Sequence, residues 1–230
     1  MQHWSVAVRR NVRGFSLSLF GIVLFLAITY LGWAQKPQRI QHIMQVVLLI
    51  SLALFLWRSI VMHDNAKWIV LLVWLGILMR FGYALYTPSA VRAHDLGLVD
   101  EQATAHAGYI IQIYLHGTLP STNELQYAQP PLYYALSALW MKVYALLSGI
   151  TNLGDLIDAT RLTSLIASCA TLLLCIPISK EVGLRGKTQW AFITICAFLP
   201  NHYLMAGRVN PDALALFFET WIVLYALRWY

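Results

Sequence analysis

Long apolar runs separated by short polar stretches organise the chain. Phe15 to Ala34, Trp68 to Tyr86, Leu162 to Ile178 and Trp190 to Met205 each approach the roughly 20 apolar residues that cross a bilayer as a helix. Ile43 to Trp57 is shorter, and Ala213 to Leu227 begins a further run close to Tyr230. Pro131 to Leu147 is equally apolar. The pattern predicts an all-α integral membrane protein with about six transmembrane helices, joined by external interfacial helices in one long loop. Three parts follow: residues 1–86 with three transmembrane helices, residues 87–160 as an external loop, and residues 161–230 with three more transmembrane helices.

Charge sets the direction of the spans. Arg9, Arg10 and Arg13 precede the first one and place the N-terminus in the cytoplasm. A cleaved signal peptide would share this basic start, but the run is long and further spans follow, which favours a retained anchor. Lys180, Arg185 and Lys187 make residues 179–187 cytoplasmic. An even number of crossings must then separate them from the cytoplasmic start of the third span. The third span and Leu162 to Ile178 already supply two, so Pro131 to Leu147 is predicted to lie against the outer surface. Lys36 and Arg39 fall outside, against the rule, whereas Asp95, Asp100, Glu101, Glu124, Asp155, Asp158 and Asp212 all gather on the external side. The expected location is the cell membrane, multi-pass.

Within the external loop, residues 100–116 have helical spacing. Ala103, Ala107, Ile110, Ile111 and Tyr114 form an apolar stripe, and Gln102, His106, Tyr109 and His116 lie on another face. This predicts an interfacial helix ended by Gly117. Pro131 suits a helix first turn, where its missing N–H has no partner to lose. Tyr133, Tyr134, Trp140 and Tyr144 suit the wet edge of a membrane.

Composition narrows the function classes. The chain is 59% hydrophobic and 11% charged, far below the charge of soluble domains. Its net charge of +6 is spread over the flanks of apolar runs, which excludes a nucleic-acid stripe. Cys169, Cys175 and Cys196 lie inside apolar runs and read as small hydrophobes. His94, His106 and His116 match no metal-site spacing, so no metal and no certain cofactor is expected.

The order of parts resembles the GT-C glycosyltransferases that use lipid-linked sugars, the group containing the protein mannosyltransferases and the bacterial aminoarabinose transferase. The resemblance is carried by Asp95 or Asp100-Glu101, His106 to Tyr109, Gly117-Thr-Leu-Pro120, Tyr127-Ala-Gln-Pro-Pro-Leu-Tyr-Tyr134, Arg161, the basic turn Lys180 to Lys187 and Arg208-Val-Asn-Pro-Asp212. It covers roughly Arg92 to the C-terminus. Two departures stand out: three spans precede the loop where the family has one, and Gln129 stands where the family has a basic residue before the prolines. Family members are also much longer, so the resemblance implies an N-terminal fragment with little turnover alone.

The resemblance implies sugar transfer from a polyprenyl-phosphate donor to an acceptor hydroxyl at the external face. A carboxylate takes the hydroxyl proton as attack proceeds, and cations stabilise the phosphate that leaves. Asp95 and Asp100 are the candidate bases. Asp100 also suits a capping role for the following helix, whereas Asp95 has no such structural role. Arg92, His94, Glu101, His106, Tyr109, Arg161, Arg208 and Asp212 are the candidate substrate and lipid-phosphate contacts. Arg208 would meet the phosphate and Asp212 orient it, although Asn-Pro-Asp also caps a helix. Arg161 equally suits a snorkelling role. The alternative is a non-catalytic membrane protein, a transporter or assembly partner. Arg80 and Glu219 within apolar runs would suit that reading.

Overall fold

A computed structural model describes residues 66–87, 97–99, 102–121 and 128–230. Seven helices run through them: α1 Ala66–Tyr86, α2 Ala105–His116, α3 Leu132–Ser148, α4 Leu153–Glu181, α5 Lys187–Phe198, α6 Pro200–Ala206 and α7 Asp212–Trp229. A minimal antiparallel hairpin, β1 Leu98–Val99 and β2 Gln102–Ala103, precedes α2. The first two predicted spans lie outside the described residues.

α4 is the axis of the bundle. It packs against α1, α3, α5, α6 and α7. Its 29 residues make about 44 Å of helix. Asn152 opens it, its Oδ1 accepting the Asp155 N–H at 3.1 Å, a cap worth about 1 kcal/mol. One face of α4 carries small hydroxyls, with Thr160, Ser164, Ser168 and Thr171 all buried. Such residues let neighbouring helices approach closely. Ser164 Oγ reaches the Asn210 carbonyl at 3.3 Å and Ser168 Oγ the His202 carbonyl at 3.0 Å. α4 thereby latches both α6 and the turn that follows it.

α1 buries Ile69, Val73, Ile77, Arg80, Phe81 and Ala84 along one helical stripe. Gly76 permits its close approach to α4 and α5. A Cβ there would stand 2.7 Å from Leu172 Cδ2 and 2.8 Å from Ala197 Cβ.

The predicted span Trp190 to Met205 is broken. Pro200 has no N–H for the Cys196 carbonyl, so α5 stops at Phe198 and α6 restarts at Pro200. Arg80 supplies the missing donors. Its Nη2 donates to Cys196 O at 3.1 Å and its Nη1 to Ala197 O at 2.8 Å. Its Nε donates to Ser168 Oγ at 2.9 Å. A buried guanidinium therefore closes the helix break.

This corrects the expectation of six spanning helices. Among the described residues one helix, α4, is long and apolar enough to cross a membrane. The apolar part of α1, Trp68–Ala84, is shorter. α5 has 12 residues, about 18 Å of helix. α7 has the length but carries Asp212, Glu219 and Arg228 within it. The interfacial reading of residues 100–116 is also corrected. α2 buries His106, Ala107, Gly108, Tyr109, Ile110 and Ile111 in succession, so its first half is enclosed on every side. α3 is two-faced instead: it buries Tyr133, Tyr134, Ser137, Ala138, Met141 and Tyr144. The tyrosines expected at a wet membrane edge thus pack inside, while Leu132, Leu136, Leu139, Val143 and Leu146 form the exposed stripe.

Candidate functional site

Three segments converge at the N-terminal end of α3: the start of α2, the residues before Pro131, and the turn between α6 and α7. The start of α2 is shaped by an unusual backbone. Thr104 is its N-cap, and Ala105 has φ 53°, a conformation that costs a residue with a Cβ about 1 kcal/mol. Thr104 N–H donates to the Gly97 carbonyl at 2.5 Å, and Gly97 itself has φ 69°. This geometry turns His106 and Tyr109 inward. It also removes Asp100 from the capping position of α2. Asp100 and Glu101 are the two residues between β1 and β2 in sequence, and both lie outside the described residues, as do Arg92, His94 and Asp95.

His106 and Tyr109 both meet Tyr134. His106 Nδ1 lies 2.7 Å from the Tyr134 hydroxyl, which donates to Gln129 Oε1 at 2.6 Å. The Tyr109 ring lies flat on Tyr134, with centroids 3.9 Å apart and planes 9° apart. Tyr133 meets Tyr134 edge-on at 5.5 Å. Burial pushes the Tyr134 phenol upward, and the negative charges that Tyr133, Tyr109 and Asp212 can carry add to this. Burial also raises Tyr109. All three phenols therefore keep their protons at neutral pH and act as hydrogen-bonding groups.

Tyr133 ties α3 to the α6–α7 turn. Its hydroxyl lies 2.8 Å from Ser164 Oγ and accepts the Asn210 N–H at 3.0 Å. In the same turn Asn210 Oδ1 accepts the Asp212 N–H at 2.7 Å. Pro211 is the N-cap residue of α7, and the Asn210 side chain satisfies the N–H of Asp212, whose carboxylate in the first helical turn is favoured by the helix dipole. The Asp212 side chain is exposed. Arg208 stands two residues before Asn210, half-buried, and its Nε is buried with no hydrogen-bond partner. A buried guanidinium nitrogen without an acceptor is costly, and an anionic ligand would satisfy it.

Arg161 is placed differently. It is 2% exposed. Its Nη1 donates to the Ala84 carbonyl at 2.5 Å and to the Thr87 carbonyl. Its Nη2 pairs with Asp158, and its Nε donates to the Asp158 carbonyl at 3.0 Å. These bonds clasp α4 to the C-terminal end of α1. Arg80 is similarly committed to helix carbonyls, and Glu219 is exposed on α7.

The structure thus unites His106, Tyr109 and the Arg208–Asp212 turn around α3 and keeps Arg161 in a helix clasp. The sequence reading omitted Tyr133, Tyr134, Gln129, Ser164 and Asn210 from the site. A signal was present: Ser137, Ala138 and Met141 follow on the tyrosine face at helical spacing, and small residues there mark a packed face. Among the described residues no group of three or more His, Cys, Asp or Glu is gathered as a metal site would require. No protein-family model matches the chain, and no curated protein and no solved structure matches it.

Proposed function

We propose that the chain is a membrane glycosyltransferase, or part of one, that transfers a sugar from a polyprenyl-phosphate donor to an acceptor hydroxyl. It would act in the cell membrane, multi-pass, with its N-terminus cytoplasmic and its site at the outer face. The observation that carries this reading is the unpartnered buried Nε of Arg208, set in a turn that is hydrogen-bonded to the tyrosine cluster. A guanidinium suits a leaving phosphate because it stays charged and offers parallel donors. The half-exposed side chain leaves access for a lipid headgroup. Asp95 or Asp100 would take the acceptor proton. The C–O bond to the acceptor then forms as the bond to the phosphate breaks, and the electron pair stays on the phosphate beside Arg208. Arg80, the cation that would favour a transport path, has its donors on helix carbonyls and the Ser168 hydroxyl.

Binding of a polyprenyl phosphate in nanodiscs tests the reading, with the matching polyprenol as control. Arg208→Ala is expected to weaken phosphate binding about tenfold or more, the value of a lost charged hydrogen bond, and to leave polyprenol binding unchanged. Equal weakening of both, or of neither, contradicts the assignment.

A further inference from the structure

We propose that the turn between α4 and α5 binds the headgroups of anionic phospholipids through Lys180, Arg185 and Lys187, at the end of α4 opposite the candidate site. The inference goes beyond the proposed sugar transfer. It rests only on α4 as the helix that crosses the membrane.

The stretch of α4 from Leu162 to Ser179 carries no charged residue. It makes about 27 Å of helix, close to the roughly 30 Å of a hydrocarbon core. Charges resume at both ends. Asp155, Asp158 and Asp212 stand at one, where the Asn210 carbonyl meets Ser164, and Arg161 and Arg208 offset part of their charge. Lys180, Arg185, Lys187 and Arg228 stand at the other. There Arg228 Nε lies 2.9 Å from Glu181 Oε1, so α7 ends beside α4 and the acid of this end is already paired. Lys180, Arg185 and Lys187 are exposed and have no ion pair among the described residues.

The turn that carries these cations is firmly built. Leu184 N–H donates to the Ser179 carbonyl at 2.8 Å, and Gly183 N–H to the Lys180 carbonyl at 3.0 Å. Gln189, in the first turn of α5, donates from Nε2 to Ser179 Oγ at 2.8 Å, and both residues are buried. A fixed backbone lowers the cost of gathering the cations around a ligand. The turn is also open: a Cβ at Gly183 or Gly186 would meet nothing within 4 Å. Indoles mark the same level. Trp68 in the first turn of α1 and Trp190 in the first turn of α5 have ring centroids 6.0 Å apart, and Trp229, next to Arg228, is 93% exposed. Indoles favour the membrane–water interface. Cations held among them meet lipid headgroups, and a headgroup with net negative charge attracts each Lys or Arg near the surface.

Electron spin resonance of the full chain in nanodiscs tests this, with phosphatidylglycerol or phosphatidylcholine spin-labelled on the acyl chain. The protein is expected to immobilise phosphatidylglycerol in preference to phosphatidylcholine. Each of Lys180→Gln, Arg185→Gln and Lys187→Gln is expected to lower that preference about two- to fivefold, and the triple variant to bring the two lipids level. The three side chains are exposed, so the variants retain the fold. Lys142→Gln, on α3, is expected to leave the preference unchanged. Equal immobilisation of both lipids by the wild type, or a preference that survives the triple variant, overturns the proposal. Loss of the preference to inorganic phosphate at constant ionic strength shows a site for free phosphate and overturns the lipid assignment. Polyprenyl phosphate binding at the Arg208 turn is expected to persist in the triple variant. Its absence from a protein that keeps the phosphatidylglycerol preference contradicts the sugar-transfer reading and leaves this proposal standing.

Discussion

Tyr133 is fully buried, and its hydroxyl is bonded to Ser164 Oγ and to the Asn210 N–H. Burial pushes its phenol from 10.0 up to about 12. The folded value lies above the unfolded one, so the folded state holds the proton longer. Stability from this group is complete below pH 10 and is lost as pH rises from 10.0 toward about 12. Thermal melting across that window is expected to show a falling Tm, and Tyr133→Phe is expected to fall less steeply there. At neutral pH the same variant leaves Asn210 N–H and Ser164 without their partner, a loss of about 1–3 kcal/mol. A flat profile in the wild type would contradict the enclosed placement of this phenol. None of this was visible in the pattern of residues. A tyrosine after two prolines reads equally well as a membrane-edge anchor, and only the packing of α2 and α4 decides which face it takes.

Among the elements, the break between α5 and α6 is the feature on which the site depends. Arg80 fills the carbonyls that Pro200 leaves open, and Ser168 holds the His202 carbonyl on the far side. Arg80→Leu keeps the volume but strands those carbonyls, at a cost of about 3 kcal/mol. Amide exchange over residues 198–206 is expected to quicken in that variant more than exchange in α3. Uniform quickening would show that Arg80 stabilises the bundle without holding the break. Gly76 offers a second test. Gly76→Ala gains up to about 1 kcal/mol of helix propensity, but its Cβ would lie 2.8 Å from Ala197 Cβ. Overpacking costs about 1–3 kcal/mol, so the variant is expected to be less stable in denaturant unfolding. The sequence marked Arg80 as a cation within an apolar run, costly in lipid and so expected to face protein or a polar cavity. It did not announce what Arg80 faces, because the proline that frees the carbonyls lies 120 residues away in the chain. Helices ended by Gly117 and opened next to Pro131 were legible, since φ near 68° at Gly117 and a proline without an N–H act locally. Length and hydropathy misjudged Trp190 to Met205 because an average over the run is blind to a single proline within it.

For the molecule as a whole, α4 is the helix fit to cross a membrane among the described residues, and about 50% of its apolar window is buried by its neighbours. The remainder, with the aliphatic stripe of α3 and the aromatic outer face of α7, forms an apolar exterior. The sequence reading names His106, Tyr109, Arg208 and Asp212 as candidate contacts, and the structure brings His106, Tyr109 and the turn holding Arg208 and Asp212 to the start of α3. It does not name Tyr133 and Tyr134 among the candidate contacts, because hydrogen bonds between residues distant in the chain leave no spacing to read. The candidate bases Asp95 and Asp100 are where the account is most exposed. Transfer of a labelled sugar from a polyprenyl-phosphate donor, by proteoliposomes carrying the protein, measures them directly. Transfer is expected to fall at least about a hundredfold in Asp95→Asn or in Asp100→Asn, the typical contribution of general-base catalysis. Full activity in both variants would contradict the proposed chemistry.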